Sequence, residues 1–361
     1  MNKKYLVKLT PHDNFFFGGE TTFGEVNANY FVKSNYYPQQ TSLLGLIRYQ
    51  LLAQDKNGIF KNNVIENPQK ASGLIGANSF HFKKDFSFGK IKSISPVFIS
   101  DSNNNYLFQA NKEYQVVDGN FVLRQYDTRN GKSTIYKENL VIPFLSGYKA
   151  KDGLPELLIN KDLSIIKHFD FEFNGMFIKN EQVGIRKNYD GNSGDKAYYI
   201  QIFFKIVKGY SFVFILELED NDDFESQNVV VLGGEQSKFK MDVSEFVGEF
   251  NDLVPDYEKS DNVDKVVLVS DAYLGNEIFD VCDFAITDII DFRSIESSVE
   301  NTKNYSAFNK TDTLNKTAKF NLFKKGSVLY GNVGAISNLI NKNESLQKVG
   351  YNHFKEINKK S

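Results

Sequence analysis

The residues of this sequence that are best suited to chemistry are glycines, aromatic rings and cationic side chains that recur together near the ends of strands. Glycine lets a backbone N–H group approach a phosphate without a Cβ atom in the way, and a ring face can stack on an unpaired base. Arginine and lysine supply the charge that phosphate requires. The set comprises Gly18, Gly19, Gly184, Gly233, Gly234 and Gly350, the rings of Phe15, Phe16, Phe17, Tyr189 and Tyr351, and the cations Arg48, Arg186, Lys187, Lys238, Lys324 and Lys325. This pattern predicts binding of single-stranded RNA.

The alternative chemistry is catalysis by His12, which stands beside Asp13. A histidine can act as a general base that deprotonates a 2′-hydroxyl in metal-free RNA cleavage. Metal-dependent hydrolysis would need further histidine and aspartate ligands at helical spacings, and the sequence offers none. It also lacks a GxxxxGK[ST] phosphate loop, a GxSxG elbow and a GxGxxG motif after a strand. We therefore predict no metal and no cofactor, and we keep RNA cleavage by His12 as an alternative to binding alone.

The elements that must position the first glycine loop are a strand before it and a helix after it. Apolar residues alternate over 4–10, which predicts a largely buried strand. A long aromatic and glycine-rich loop follows, and then Thr41 or Ser42 is predicted to cap a helix. The apolar face of this helix consists of Leu43, Leu44, Ile47 and Leu51. Arg48 falls on the opposite side.

The bulk composition limits the class of protein. The chain has 361 residues, enough for two domains, and its formal net charge of −2 argues against a free-standing, non-specific nucleic-acid binder. A subunit with one basic groove is compatible with that charge. The single cysteine, Cys282, excludes an internal disulfide framework and a multi-cysteine metal site. Because no signal peptide and no apolar run of membrane-spanning length occurs, we predict a cytoplasmic protein.

The rest of the chain is dominated by short strands. Asp118 and Gly119 predict a two-residue hairpin turn, 197–207 and 210–218 are predicted to be two long strands joined in a hairpin at 208–209, and 320–330 is predicted to be a hairpin that turns at 324–326. Residues 243–253 are predicted to be helical. A strand that begins near 265 repeats the plan of the N-terminus. The pattern predicts an α+β fold in which a β-α-β-β core is used about twice.

Six motifs occur in an order that resembles a known family. They are PHDNFFFGGETTFG, PQQTSLLGLIRYQLL, VGIRKN, VVLGGEQSKF, KKGSVLY and a terminal VGYNHF. In this order they resemble the third subunit of Cmr-type (type III-B) CRISPR effector complexes, a group of the RAMP superfamily that grips the 5′ handle of the CRISPR RNA. The resemblance spans most of the chain.

The resemblance implies a fold, a function and partners. The implied fold is two ferredoxin-like (RRM-like) units of antiparallel sheet with β-hairpin and loop insertions, one over 1–258 with a β-rich insertion at about 57–170 and one over 259–361. Family members hold the repeat-derived 5′ handle beside the large polymerase-cyclase subunit and next to the first backbone subunit, and they have no catalytic activity of their own. The expected partners are therefore the CRISPR RNA and these protein subunits.

Matching the motifs places the expected handle contacts on four segments. They are Phe15, Phe16, Phe17, Gly18 and Gly19 in the first loop, Gln39, Gln40, Thr41, Ser42 and Arg48 on the first helix, Arg186, Lys187 and Asn188 before a hairpin, and Gly233, Gly234, Gln236 and Lys238. Related proteins commonly have a basic residue where Gly18 and Thr21 stand here, so this chain is expected to use backbone amides and stacking instead. Besides cleavage by His12, a purely structural subunit that bridges protein partners stays open as an alternative.

Overall fold

Strand β1 (Lys3–Pro11) lies inside the largest sheet of the computed structural model and fixes which side of that sheet is core. Its residues Tyr5, Val7 and Leu9 are buried, and the residues between them are only partly buried. The strand predicted over 4–10 is confirmed. Alternating apolar residues produce this result because successive side chains of a strand point to opposite faces.

The structure describes residues 2–19, 31–84, 86–117, 120–123, 126–127, 144–145, 153–154, 156–169, 175–185, 198–219, 224–259, 264–300 and 316–358. Within these ranges the helices are α1 (Gln40–Gln54), α2 (Pro68–Ile75), α3 (Ile278–Val281), α4 (Val333–Asn341) and α5 (Glu344–Lys348). The strands after β1 are β2 (Phe31–Lys33), β3 (Phe60–Lys61), β4 (Val64–Ile65), β5 (Ile91–Ile94), β6 (Phe98–Ser100), β7 (Tyr106–Gln109), β8 (Tyr114–Val117), β9 (Asn120–Leu123), β10 (Tyr126–Asp127), β11 (Phe144–Leu145), β12 (Leu157–Ile159), β13 (Ile166–His168), β14 (Phe177–Ile185), β15 (Tyr198–Ile206), β16 (Ser211–Leu218), β17 (Gln227–Val231), β18 (Lys238–Glu245), β19 (Lys265–Leu268), β20 (Cys282–Ile286), β21 (Ile289–Phe292), β22 (Phe320–Phe323), β23 (Val328–Gly331) and β24 (Phe354–Ile357).

Nine of these strands form the largest sheet. The order runs β13-β12-β7-β6-β16-β1-β18-β17, and β5 also pairs with β16. Both neighbours of β1 are antiparallel to it. Between residues 91 and 168, strands β5, β6, β7, β12 and β13 therefore extend the sheet that contains β1, whereas β8 pairs with β9 and β10 with β11 in two small separate sheets.

The helix predicted over 243–253 is wrong. Lys238–Glu245 is strand β18, and its Phe239 and Met241 are buried at a spacing of two residues. The described helical part is the single 3₁₀ turn Phe250–Asp252. The period of two in 238–245 overrides the weak helical preference of the polar residues that follow.

Helix α1 packs on the largest sheet through the predicted face. Leu43, Leu44, Ile47 and Leu51 are all buried and belong to the main core cluster. The helix begins one residue after Gln39, not after Thr41 or Ser42 as predicted, and its N-terminus has no side-chain hydrogen bond that caps it. In the first turn of α1 the N–H groups of Ser42 and Leu43 donate to the carbonyl of Gln39, at 2.9 and 3.2 Å.

Two of the three predicted hairpins pair differently from the prediction. β15 pairs with β14 and, in parallel, with β2, whereas β16 belongs to the largest sheet, so the chain changes sheets at 208–209. Similarly, β22 pairs with β21 while β23 lies between β19 and β20. The third hairpin is confirmed, because β8 pairs with β9 up to Val117 opposite Asn120.

The C-terminal strands form a separate four-stranded antiparallel sheet. Along the chain, the order is β19, α3, β20, β23, α4 with α5, and β24, and in space it is β20-β23-β19-β24. Helix α4 packs on this sheet through Ile336 and Ile340. With mostly antiparallel sheets and few helices among its described residues, the protein has the α+β architecture that the sequence predicts.

A buried ion pair between Lys265 and Glu113, which we call the ionic joint, connects this C-terminal sheet to the turn between β7 and β8. Lys265 at the start of β19 pairs with Glu113, with 2.6 Å between Nζ and Oε2, and the two side chains are 0% and 2% exposed. Tyr330 and Asn111 donate further hydrogen bonds to the same carboxylate. Nearby, the buried Lys112 pairs with Asp288 at 2.7 Å. Buried charges that are paired and hydrogen-bonded hold two parts of a chain in one register.

Candidate nucleic-acid interface

The structure brings two of the predicted loops together although they are more than 200 residues apart in the sequence. Gly234 N–H donates to the carbonyl of Phe16 at 2.8 Å, and Phe16 N–H donates to Ser237 Oγ at 2.9 Å. Gly233 has a φ of +89°, and a Cβ atom on it would lie 2.5 Å from the carbonyl oxygen of Phe16. Glycine at 233 is therefore required for close packing of the two loops.

The turn between β17 and β18 presents polar groups at this junction. Ser237 N–H donates to the carbonyl of Gly234 at 3.1 Å, and the two central residues, Glu235 and Gln236, have φ values of +53° and +51°. Left-handed backbone at residues other than glycine costs about 1–3 kcal/mol each and concentrates at functional sites. Gln236 and Lys238 are exposed here, as is Gly18 across the junction.

The rings of the first loop are core residues. Phe15, Phe16 and Phe17 are 0%, 7% and 3% exposed. Phe17 lies 5.5 Å from the ring centroid of Phe212 and 5.9 Å from that of Phe239, both on the largest sheet. This corrects the expectation that the three rings stack on bases, because no ring face is left open to a base. From this loop, the backbone of Gly18 and Gly19 is what a ligand can reach.

The Gln40 side chain links α1 to two distant segments of the chain, and we call it a clamp for this reason. Its Nε2 donates to the carbonyls of Ser95 and Val349 at 2.9 and 2.8 Å, and its Oε1 accepts from Val97 N–H at 3.2 Å. The side chain is buried and its amide is occupied by these three bonds, so it offers nothing to RNA. Gly350 fits against it, since a Cβ atom there would lie 1.8 Å from Gln40 Nε2.

We expect Gln40→Met to lower the free energy of unfolding by about 2–3 kcal/mol, because buried backbone groups lose their partners in a site of similar shape. Urea unfolding at a constant m value measures this difference. Gln39→Met is the matched control, since Gln39 is only partly buried, and it should change stability by less than about 0.5 kcal/mol. Equal losses for the two variants would contradict the clamp.

A cavity of about 530 Å³ lies beside the first turns of α1. On the helix side it is bordered by Gln39, Thr41, Ser42, Gly45 and Arg48. Its other walls come from residues 75–80 and from 293–299, two segments that pair through Ser79 N–H to Ser297 O at 2.8 Å and Val299 N–H to Ala77 O at 2.9 Å. The cavity is thus built by the helix and by both halves of the chain.

Arg48 makes this cavity chemically distinctive. Its Nε and Nη2 atoms are buried and have no hydrogen-bond partner, and burial lowers the pKa of its guanidinium to about 10. Arg293 also borders the cavity, and no acidic residue does among the lining residues that the structure describes. A buried cation without a counter-charge is costly, so the cavity is suited to an anion such as a phosphate.

The remaining predicted residues divide into two groups. Arg186, Lys187, Asn188 and Tyr189 lie outside the described residues. Gly184 and Tyr351 have packing roles, which corrects the expectation for them. A Cβ atom on Gly184 would lie 2.1 Å from the ring of Tyr199, and Tyr351 is buried in the main core.

The second wall of the cavity, and Arg293 within it, could not be predicted from the sequence. No local motif marks 293–299, because its neighbours in space, residues 75–80, come from far away in the chain. The signal that the sequence offered was the rarity of arginine, since Arg48 and Arg293 are two of only five arginines in the chain.

In the part of the chain that the structure describes, no group of three or more histidine, cysteine, aspartate or glutamate residues could hold a metal ion. Nor does any helix in these described ranges have the length and apolar character needed to cross a bilayer.

The described part of the chain is a mixed α+β protein of mostly antiparallel sheets, in which the loops of Gly18 and Gly234 lie together. The family model described as CRISPR-associated protein (Cas_Cmr3) matches residues 7–355, and the chain belongs to this family. It is therefore a subunit of a CRISPR effector of the type III-B Cmr class.

Comparison with solved structures gives distant similarities. The chain is similar to a chain in a cryo-EM structure of the Type III-B Cmr-beta bound to cognate target RNA, with 14% identity, a TM-score of 0.47 and coverage of 98% of this chain and 96% of that chain. A state of Cmr-beta bound to cognate target RNA and AMPPnP gives 14% identity, a TM-score of 0.46 and the same coverage. A chain of the Csm3-Csm4 subcomplex in the type III-A CRISPR-Cas interference complex gives 11% identity, a TM-score of 0.38 and coverage of 91% and 93%. No curated protein sequence matches.

Proposed function

We propose that this chain is a non-catalytic subunit of a cytoplasmic type III-B effector complex, that it binds the repeat-derived 5′ handle of the CRISPR RNA, and that it bridges the large polymerase-cyclase subunit to the backbone subunits. The observation that carries the RNA-binding part is the cavity beside α1, where Arg48 has buried nitrogen atoms without partners. A phosphate of the guide would supply the missing counter-charge. Charge-assisted hydrogen bonds of this kind are stronger than neutral ones.

The net charge of −2 does not oppose this proposal, because the relevant charge is local. Arg48 and Arg293 both border the cavity, and its described lining residues include no acidic side chain. A low-dielectric wall strengthens their field at the site. A guide held in this way is gripped at defined phosphates, as a subunit that binds one RNA end requires.

A path for the guide connects the cavity with the joined glycine loops. Asn35 Nδ2 donates to the carbonyl of Gly18 at 3.3 Å, and the chain runs from Asn35 to Gln39, which borders the cavity. We propose that the guide follows this segment, with Gly18, Gly19, Gln236 and Lys238 at one end and Arg48 at the other. Exposed backbone amides and polar side chains along such a path hold a strand without reading its sequence.

The direct experiment is to isolate the chain with its complex from its own cells and to sequence the RNA that co-purifies. Short RNAs that share one common 5′ end are the expected result. A mixture without a common end, or no RNA, would contradict handle binding and favour a purely structural bridge.

Lys238→Gln tests the loop end of the path. We expect the slope of log affinity against log salt concentration to fall by about 0.7, the value for one phosphate contact on a single strand. The measurement is a salt titration of fluorescence anisotropy with a labelled copy of the co-purified RNA. Lys92→Gln is the control, because Lys92 pairs with Glu219 near the opposite end of β1. An unchanged slope for Lys238→Gln would remove this residue from the path.

The non-catalytic part of the proposal is supported by the surroundings of His12. Its Nε2 lies 2.9 Å from the carbonyl oxygen of Asn228, and the adjacent Asp13 pairs with Lys205 at 3.1 Å. Both groups thus have partners within the protein. Incubation of the purified chain with repeat-containing RNA should leave the RNA intact, and cleavage that His12→Ala abolishes would instead establish the endoribonuclease alternative.

We also propose that the two units, divided near residues 258–259, are ferredoxin-like. The support comes from the C-terminal sheet, where the chain order strand, helix, strand, strand, helix, strand gives the spatial order β20-β23-β19-β24. Numbered along the chain, this is 2-3-1-4, the arrangement of a split β-α-β unit.

A further inference from the structure

A second cavity, of about 420 Å³, lies between the segment that leads into α1 and the C-terminal strands. Much of its wall is aromatic or apolar: Tyr36, Tyr37, Pro38, Pro96, Phe169 and Ile290. Its polar border includes Asp271, Asp288, Lys324 and Lys325. Cavities of this size, with apolar walls and a few convergent polar groups, are typical of small-ligand sites.

Lys325 enters this cavity as a nearly buried amine that no described carboxylate contacts within ion-pair distance. Its side chain is 9% exposed, and its Nζ lies 2.9 Å from the ring centroid of Tyr37. Among the residues that the structure describes, this Nζ has no hydrogen bond and no ion pair, whereas the adjacent Lys324 is paired with Glu156. A ligand atom that accepts a hydrogen bond from Lys325 would remove this deficit.

The acidic residues decide which kind of ligand fits. Asp271 and Asp288 both border the cavity, so a phosphate would meet repulsion here that it does not meet beside Arg48. A nucleobase is uncharged, lies flat against apolar walls and carries both acceptors and N–H donors on its edge. Lys325 can serve an acceptor and the carboxylate of Asp271 can serve a donor.

The position of the cavity relates it to the guide. Asn35 and Gln39 both border it, Asn35 contacts Gly18, and Gln39 also borders the cavity of Arg48. A strand that contacts both Gly18 and Arg48 therefore passes this cavity. A base turned toward the protein at that point enters it.

We propose that this cavity binds one unpaired base of the guide RNA, with the Lys325 amine donating a hydrogen bond to an acceptor on the edge of that base. The inference rests on the proposed function, and it adds to phosphate binding a site that reads one nucleotide. It also assigns a role to Lys325 beyond phosphate charge.

The test uses the full chain and synthetic copies of the co-purified RNA, each with one abasic position. We expect one position at which the abasic change weakens binding by roughly 5- to 150-fold, the range for loss of one stacked base. In Lys325→Met that penalty should shrink several-fold, because the base has already lost its partner. Lys325→Met removes a desolvated amine from an apolar site and should keep its melting temperature, and Lys325→Arg, which keeps a donor, should retain most of the penalty.

The pH dependence gives a second readout. Burial holds the pKa of Lys325 at about 7, and a hydrogen bond to a base favours the charged amine and raises that pKa. Affinity should thus be full below pH 7 and fall as the pH rises from 7 to 9, because binding must then take up a proton. The groups that face this amine are Tyr37, Asp271, Lys324 and Glu156. Lys325→Met, which keeps all four, should show a flat profile.

The outcomes separate this inference from the proposed function. RNA binding that is weakened by Arg48→Met but shows no abasic position coupled to Lys325 overturns the base site and leaves handle binding intact. Failure of the wild-type chain to bind any of the RNAs overturns both. An abasic penalty that is equal in wild type and Lys325→Met places the base elsewhere and also overturns the inference.

Discussion

Arg48→Met is expected to weaken binding of the guide RNA roughly 30- to 150-fold while leaving the stability of the free protein unchanged or higher. The loss corresponds to about 2–3 kcal/mol, the value of a hydrogen bond between a charged donor and a phosphate in a desolvated site. Stability does not fall, because the guanidinium has Nε and Nη2 buried without partners and burial lowers its pKa to about 10. In the free protein the charge is therefore a cost, and methionine fills the same space without it.

Anisotropy titration with the co-purified RNA measures the affinity, and urea unfolding measures the stability. Arg48→Lys keeps a charge but loses the planar fork, so it should bind with intermediate affinity. Lys92→Met, at the edge of the largest sheet, should bind as the wild type does. Wild-type affinity in Arg48→Met would show that the guide does not enter this cavity, and handle binding would lose its main support.

Gly45 connects the shape of the cavity with the helix that forms it. Gly45 lies inside α1, is exposed, and has no atom within 4 Å of the position that a Cβ would take. Glycine inside a helix costs about 0.5–1 kcal/mol relative to alanine, and packing gives no reason for it here. Since Gly45 borders the cavity, its missing side chain leaves space for a ligand beside Arg48. Under the proposed phosphate binding, the helix gives up some of its own stability to keep this space open.

The sequence was sufficient for elements whose signal is local. The alternation in β1 and the spacing of Leu43, Leu44, Ile47 and Leu51 in α1 depend on one element and one buried face, and both were predicted correctly. The start of α1 was missed by two positions or more because Thr41 and Ser42 are favourable capping residues, but the chain enters the helix at Gln39. Tertiary packing of Gln40 against Ser95 and Val349 decides that entry point.

The sequence did not predict which strands pair with each other or which way the aromatic rings point. A glycine between two strands predicts a hairpin, yet at 208–209 and 324–326 the chain leaves one sheet and joins another. The choice depends on strands elsewhere in the chain, from β21, the strand before β22, to β1 at the N-terminus, which pairs with β16. For Phe15 and Phe17, composition shows that the rings need a surface, but only the position of Phe212 and Phe239 shows that this surface is the core.

The candidate site likewise combines features that the sequence predicts with features that it does not. Its single residues, Arg48 and Lys238, follow from residue type and position after a strand or on a polar helix face. What makes Arg48 distinctive is a wall from 293–299 and the absence of an acid among the described lining residues, and neither is a property of the motif that contains it. Long-range arrangement, not residue type, thus separates the cavity of Arg48 from the cavity of Lys325.

The largest expected loss of stability comes from Lys265→Met, at about 3–5 kcal/mol. Lys265 and Glu113 are 0% and 2% exposed and 2.6 Å apart, so removal of the lysine leaves a carboxylate buried without its cation. Tyr330 and Asn111 still donate to Glu113, but neither carries a charge. These two donors therefore do not replace the charge of Lys265, and the attraction across 2.6 Å is lost.

Urea unfolding of three variants isolates this joint. Lys92→Met breaks an ion pair of similar length, 2.8 Å to Glu219, whose side chains are 40% and 48% exposed, and it should cost less than about 1 kcal/mol. Lys265→Met combined with Glu113→Gln should recover a large part of the loss, because the amide oxygen still accepts from Tyr330 and no charge is left. If Lys265→Met cost no more than Lys92→Met, the turn after β7 and the C-terminal sheet would be held together by apolar packing alone. The predicted difference instead makes the joint the element that fixes the C-terminal strands against the sheet of β1, and with them the shared walls of both cavities.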